Sequence, residues 1–154
     1  EQKKTEKEVK EMLSKETGNY VVLKLEHGED LFSSLERASE NHRIDSAIVL
    51  CGIGMLQDFE LSFFDTEKKK YETVHVKEAC ELVSMAGSLA FAENGEFMPH
   101  LHVGVAGRDH SLKGGHLKKA KVAVLNEITL LKMPEKALTR KLNTESNLYE
   151  LFFS

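Results

Sequence analysis

The sequence predicts an α+β domain, in which a largely antiparallel β-sheet carries one main packed α-helix. Two observations support this fold class. Most β-rich segments follow one another through short turns, which favours antiparallel pairing. One segment, from residue 29 to about residue 42, has its apolar residues at helical spacing. The length of 154 residues suits a single domain with a hydrophobic core.

The first part of the chain predicts a charged extension followed by the start of the domain. Residues 1–16 are strongly charged and predict a short, weakly amphipathic helix, with a solvated extension as the alternative. We therefore assign residues 1–18 to a charged N-terminal helical extension and residues 19–154 to the domain. Residues 20–25 are β-rich, and Asp30 is the candidate N-cap of the helix that follows.

The remaining elements are predicted to be strands. A continuous apolar run predicts a buried strand, and the two segments after it predict a hairpin through a charged turn at 65–70. Gly87 lies inside a strand and marks a bulge or a close approach of two backbones. A loop is predicted at 107–115. Pro134 ends the predicted strand 121–131. The predicted strands are 45–53, 57–64, 71–76, 81–92, 100–106, 121–131 and 148–152.

Composition narrows the function class only slightly. The chain is 41% hydrophobic and 30% charged, with a formal net charge of -4 that gives no general support for a polyanionic partner. We expect Cys51 and Cys80, each in an apolar stretch, to be buried, reduced thiols. No apolar run has the length of a bilayer span, so we expect a cytoplasmic protein with no membrane partner.

Three histidines form the candidate site. His100 and His102 alternate along a predicted strand and therefore project from the same face. His116 follows a loop long enough to return the chain beside that strand. Three neutral imidazoles with an open fourth position suit zinc, so we predict a metal site at His100, His102 and His116. The alternative is that these side chains are hydrogen-bonded core or interface residues.

Other residues near the histidines are weaker candidates. Asp109 or Glu96 could accept a hydrogen bond from a metal-bound imidazole. His110 lies in a polar loop, and we expect it to be solvated rather than a ligand. Gly52-Ile53-Gly54 follows a buried strand but lacks the third glycine of a dinucleotide loop, because Gln57 stands at that position.

The order of these signals resembles the plants and prokaryotes conserved domain family over residues 20–151. The resemblance implies a domain that assembles as a homotrimer. Plant members follow AT-hook segments in nuclear proteins, whereas this sequence contains no Arg-Gly-Arg-Pro and is similar to the stand-alone prokaryotic type. The segments that carry the resemblance are Gly28-Glu29-Asp30-Leu31, Gly52-Ile53-Gly54-Met55-Leu56, Glu81-Leu82-Val83-Ser84-Met85-Ala86-Gly87, His100-Leu101-His102-Val103, Gly114-Gly115-His116-Leu117, Arg140 and Asn147-Leu148-Tyr149-Glu150-Leu151.

Three functions follow from the histidines and the resemblance together. The first is a zinc-binding or other divalent-metal-binding homotrimer with a regulatory or DNA-associated role. The second is a metal-dependent hydrolase or lyase acting on a small molecule, for which no catalytic residue is assigned. The third is a structural trimer without metal. The support for DNA in the residues themselves is two clusters of lysines, 113–121 and 68–70, which a trimer would repeat three times.

Overall fold

The computed structural model describes residues 11–153. Within them the chain is predominantly β, with one short helix. The predicted antiparallel sheet with one helix is confirmed, whereas the α+β class overstates the share of helix. In chain order the elements are β1 (Leu13–Thr17), β2 (Tyr20–Glu26), α1 (Leu31–Asn41), β3 (Ala47–Asp65), β4 (Lys70–Val76), β5 (Cys80–Leu89), β6 (Phe91–Ala92), β7 (His100–Ala106), β8 (Leu112–Lys132), β9 (Leu138–Asn143) and β10 (Leu148–Phe153).

Seven strands form the main sheet, in the order β1-β2-β8-β7-β5-β3-β4. All of its pairings are antiparallel, as the sequence predicted. β3 also pairs with β8, so β3, β5, β7 and β8 form a closed circuit of paired strands. The short strands β6, β9 and β10 form a separate three-stranded sheet. Circuit closure removes exposed edges from the four strands that carry the centre of the domain.

Strand alternation separates a buried face from an outer face. Val21, Leu130 and Val49 are cross-strand neighbours, and all three are almost completely buried. The next row of the same strands contains Val22 and Cys51, which point to the other face and are exposed. The prediction that Cys51 is buried is therefore wrong, since its apolar neighbours along the chain do not share its face. Cys80 is buried, as predicted.

The helix packs on the main sheet through the predicted stripe. Leu31, Leu35 and Ala38 are fully buried, so one face of α1 belongs to the core. The Asp30 side chain accepts a hydrogen bond from the backbone N–H of Ser33 at 2.9 Å. Asp30 is therefore the N-cap, as predicted, because it satisfies a donor that has no partner inside the helix.

Four predictions of secondary structure need correction. Leu13–Thr17 forms β1 rather than a helix, because it pairs with β2; residues 1–10 of the predicted helix lie outside the described residues. The predicted strands 45–53 and 57–64 are joined in the single strand β3. Residues 112–115 belong to β8 and not to a loop, since they pair with β7. Strand β9 was not predicted from the sequence because this strand is mostly polar.

No helix of the described chain is long and apolar enough to cross a membrane.

Candidate metal centre

The three predicted histidines meet on two adjacent strands. β7 has the predicted bounds, and its alternation places His100 and His102 on one face while Leu101 between them is fully buried. His116 lies on β8 directly opposite His102. Cross-strand partners project from the same face of a sheet. The β7–β8 hairpin therefore brings all three imidazoles to one place, as the sequence predicted.

The distances between the rings suit a shared ion. Nε2 of His100 lies 3.2 Å from Nε2 of His102, and the edge of a tetrahedron with zinc–nitrogen bonds of 2.0–2.1 Å is about 3.3 Å. The ring centroids of the three histidines are 5.1, 5.2 and 5.6 Å apart. One ligand atom from each residue lies within 4.8 Å of the other two. A small closing movement of His116 would complete a three-nitrogen site.

His116 has the least satisfied ring. Its Nδ1 atom is buried and has no hydrogen-bond partner within the described chain. Tyr71 of β4 stacks on the ring at a centroid distance of 4.8 Å. Burial, followed by the charges of His100, His102 and Lys118, lowers the pKa of His116 to about 4. At neutral pH the ring is therefore uncharged, which is the form of histidine that binds a metal ion.

The pKa of His100 is lowered in the same way as that of His116. Desolvation of its ring, together with the charges of Arg140 and His102, lowers the pKa of His100 below its usual value. A metal ligand must be a neutral imidazole. The surroundings of both His100 and His116 therefore favour the protonation state that binds metal and disfavour the one that repels it.

The surrounding candidates take no part in this cluster. Among the residues that the structure describes, the metal-ligand group contains the three histidines and no carboxylate. Asp109 accepts hydrogen bonds from the backbone N–H and the hydroxyl of Ser111 and so organises its own loop. Glu96 makes no side-chain hydrogen bond to a histidine within the same part of the chain. His110 is exposed in the turn before β8, as expected for a solvated residue.

Two glycines allow the close approach of the strands that carry the histidines. At Gly87 of β5, an added Cβ would lie 1.9 Å from the backbone oxygen of His100, and φ is +153°. At Gly114 of β8, it would lie 2.3 Å from the backbone oxygen of Val103. The prediction that Gly87 marks a close approach is confirmed. A side chain at either position would push β7 away from its neighbour.

A cleft of about 550 Å³ opens beside the histidines. Its lining includes His100, His116, Arg140 of β9 and residues 147–151. Arg140 is 4% exposed and donates through Nη2 to the Ser88 hydroxyl at 2.5 Å. Ser88 is the cross-strand partner of His100, so Arg140 is held next to the histidine cluster.

Sequence reasoning assigned no functional role to Arg140 or to Tyr71. Arg140 occupies a buried position of β9, two residues after the buried Leu138. A charged residue at an inward position would have been the signal, but it is visible only once β9 is known to be a strand. Tyr71 was placed in the correct hairpin, whereas its contact with His116 depends on β3 lying between them.

The lysines near the site are partly neutralised. Lys119 pairs with Glu60 at 3.2 Å, and Lys121 pairs with Asp58 at 3.0 Å. Lys118 lies over the ring of Tyr71, 5.7 Å from its centroid. Carboxylates beside two members of the 113–121 cluster reduce the positive potential that this surface would offer to a phosphate backbone.

A family model and several solved structures match the chain. The model of the Plants and Prokaryotes Conserved domain matches residues 12–134. A candidate DNA-binding protein from Ralstonia eutropha JMP134 is 27% identical, with a TM-score of 0.82 over 92% of this chain and 96% of its own. Among curated proteins, no sequence matches the chain.

Two archaeal structures are similar to the same degree in sequence. A plant- and prokaryote-conserved protein from Pyrococcus horikoshii is 27% identical, with a TM-score of 0.75 over 90% of this chain and 94% of its own. A metal-containing protein from Archaeoglobus fulgidus is 27% identical, with a TM-score of 0.78 over 89% of this chain and 95% of its own. The fold found here is thus shared along nearly the full length of each.

Proposed function

The chain belongs to the Plants and Prokaryotes Conserved domain family, and from this premise we propose that it is a metal-binding member. His100, His102 and His116 hold a divalent ion, and zinc is the best match to three imidazole nitrogens. The observation that carries the proposal is the convergence of three ligand atoms within 4.8 Å on one hairpin. The metal-containing relative from Archaeoglobus fulgidus adds support.

The protonation chemistry of the cluster supports the same proposal. Three imidazoles this close would repel one another if charged, and a buried nitrogen without a hydrogen bond is costly. A cation held by one lone pair from each ring stabilises the neutral form of all three imidazoles and so avoids this repulsion. Zinc, when bound by three protein nitrogens, supplies a Lewis acid with a fourth position left for water or a ligand.

The biological role that we propose is regulatory or DNA-associated. Its support is the candidate DNA-binding relative from Ralstonia eutropha. The net charge of -4 and the ion pairs of Lys119 and Lys121 argue against a broad electrostatic grip on a duplex by one chain. A partner protein or an assembled surface is therefore the better place to look for the DNA connection.

We also propose that the chain assembles as a homotrimer, as the family resemblance implies. Val22, Cys51 and Ile53 lie exposed on the outer face of the main sheet. Val22 and Cys51 are both cross-strand partners of Thr129, so the three residues form one mainly apolar row on this face. Contact with neighbouring copies would remove this row from water, which is favourable at about 25 cal/mol per Å² of apolar surface.

Metal-dependent catalysis is the second candidate function. The observation that favours it is the cleft of about 550 Å³ that His100 and His116 help to line. The volume lies in the range of small-molecule sites. A structural ion, by contrast, would be closed by a fourth protein ligand, and the described residues offer no such ligand in the cluster.

Metal content tests the main proposal. The untagged full chain is compared with the double variant His100→Ala/His102→Ala by inductively coupled plasma mass spectrometry and by zinc titration. His75→Ala/His110→Ala removes the same number of imidazoles outside the cluster and serves as the matched control. We expect about one zinc per chain in the wild type and the control. Failure of the wild type to take up added zinc would reject the proposal.

Cobalt substitution separates the two functional candidates. An open coordination position predicts that the visible spectrum of the cobalt-loaded chain changes when azide is added. An unchanged spectrum would indicate a closed ion and exclude the enzyme. DNA association is tested by fluorescence anisotropy with a labelled duplex at low and at physiological salt, and no binding at low salt would exclude direct contact.

A further inference from the structure

Arg140 is a buried guanidinium without a counter-ion. It is 4% exposed, and its single side-chain hydrogen bond within the described chain goes to the neutral hydroxyl of Ser88. Nε is buried without a partner. No carboxylate among the described residues lies within ion-pair distance. A buried charge left uncompensated is strongly unfavourable, so a structure that retains one indicates that an anion completes it.

The carboxylate of Glu150, which lines the same cleft, is engaged elsewhere. Its Oε1 accepts hydrogen bonds from Asn143 at 3.0 Å and from Ser146 at 2.8 Å. These two bonds fix Glu150 within the β9–β10 hairpin. Glu150 is therefore held by other partners, and Arg140 lines the same cleft as His100 and His116.

From this arrangement we propose that the cleft binds a small organic carboxylate, whose anionic group pairs with Arg140 while its body faces the histidines. A guanidinium matches a carboxylate through two parallel hydrogen bonds. The remaining walls include Tyr71, Met98 and Leu148, which suit an apolar or aromatic body. The inference deepens the proposed function, and only the ligand's approach to the ion rests on it.

Charge selects a carboxylate over a phosphate ester. Among the described residues that line the cleft, Arg140 is the one lysine or arginine, and Glu150 adds a negative charge. The Glu150 carboxylate repels a second negative charge on a ligand, so the cleft disfavours a dianion relative to a monoanion. No helix N-terminus contributes to this cleft, so the usual backbone site for a phosphate is missing within the described residues.

The test uses benzoate as the probe and benzamide as its neutral analogue. Both are titrated into the full chain, metal-free and zinc-loaded, and the Arg140 Nε–H resonance is followed by NMR. We expect saturable benzoate binding that shifts this resonance, with benzamide at least tenfold weaker. Equal binding of both probes, or benzoate binding without a shift at Arg140, would overturn the proposal. This readout needs no substitution and is independent of whether a variant folds.

Variants provide the second measurement. Arg140→Gln should weaken benzoate binding at least tenfold, and Arg140→Lys, which keeps the charge but not the planar fork, should be intermediate. Arg108→Gln, at an exposed loop arginine, is the matched control. Benzoate binding to a chain that takes up no zinc would leave this inference standing and reject the metal proposal. If the chain takes up zinc but binds benzoate no better than benzamide, the metal proposal stands and this inference is rejected.

Discussion

Tyr71 and His116 lie face to face, with ring planes inclined by 23°. Tyr71 is on β4 and His116 on β8, and β3 pairs with both strands. The contact therefore links the edge of the main sheet to the candidate metal centre. It holds the His116 ring in one orientation, which is the usual role of groups that surround a metal ligand.

Truncation of Tyr71 should weaken metal binding without removing a ligand. We expect Tyr71→Ala to lower zinc affinity about tenfold, because loss of a supporting group typically costs ten- to a hundredfold. Tyr71→Phe keeps the stacked ring and should bind zinc as the wild type does. Competition with a chromophoric chelator measures both affinities. Equal losses in the two variants would mean that the hydroxyl, and not the stack, supports His116.

The stability of the metal-free chain should fall on acidification below neutral pH. The pKa of His116 is lowered from an ordinary 6.5 to about 4. Between these values the unfolded chain binds a proton at His116 that the folded chain does not, so the free energy of unfolding rises with pH across this window and levels off above it. Urea unfolding at a series of pH values measures the slope.

The variant His116→Phe tests the origin of this slope. It keeps a ring against Tyr71 but cannot titrate, so its stability should vary less between pH 4 and 6.5 than that of the wild type. His110→Asn, in the exposed turn, should retain the wild-type slope. A slope that survives in His116→Phe would assign the effect to His100 or to other groups.

Gly87 should tolerate no side chain. The Cβ of Gly87→Ala would lie 1.9 Å from the His100 oxygen, so β5 and β7 must separate. We expect a loss of roughly 2–4 kcal/mol in the free energy of unfolding, together with weaker zinc binding. Gly107→Ala is the control, because its Cβ would meet Asp109 at an ordinary 3.5 Å. Comparable losses in both variants would argue against the close contact as the cause.

A charge on the outer face should prevent assembly. Val22→Asp places a carboxylate in the apolar row that we assign to the trimer contact, where burial would be costly. Light scattering should report a trimer for the wild type and a monomer for the variant, with unchanged circular dichroism. Glu67→Gln, in the β3–β4 turn, should remain trimeric. A trimeric Val22→Asp chain would move the interface elsewhere.

The sequence predicted elements best where local pattern and packing agree. β7 was predicted with its observed bounds, because its alternation is regular and Pro99 and Gly107 flank it. The helix and its Asp30 cap were predicted for the same reason. The convergence of His102 with His116 also depends on a single hairpin, so it could be inferred from spacing along the chain.

Prediction failed where partners distant in sequence decide the conformation. Gly114 and Gly115 suggested a loop, but Gly114 pairs with Gly104 inside β8. A glycine is needed there because the backbone of Val103 leaves no room for a side chain. Cys51 was assigned to the core because the apolar run gave no indication of which face each residue takes. Arg140 gained its meaning only from Ser88 and the cleft, which belong to other parts of the chain.

The closed circuit of strands also has a kinetic consequence. β3 and β8 pair across a long stretch of chain, and such non-local pairing makes folding slow because the loop must close before the contacts form. The β7–β8 hairpin that carries His102 and His116 is local and closes at low entropic cost. An ion bound by this hairpin would stabilise a piece of structure that forms early. Zinc would then act mainly by accelerating folding, with a smaller effect on the rate of unfolding.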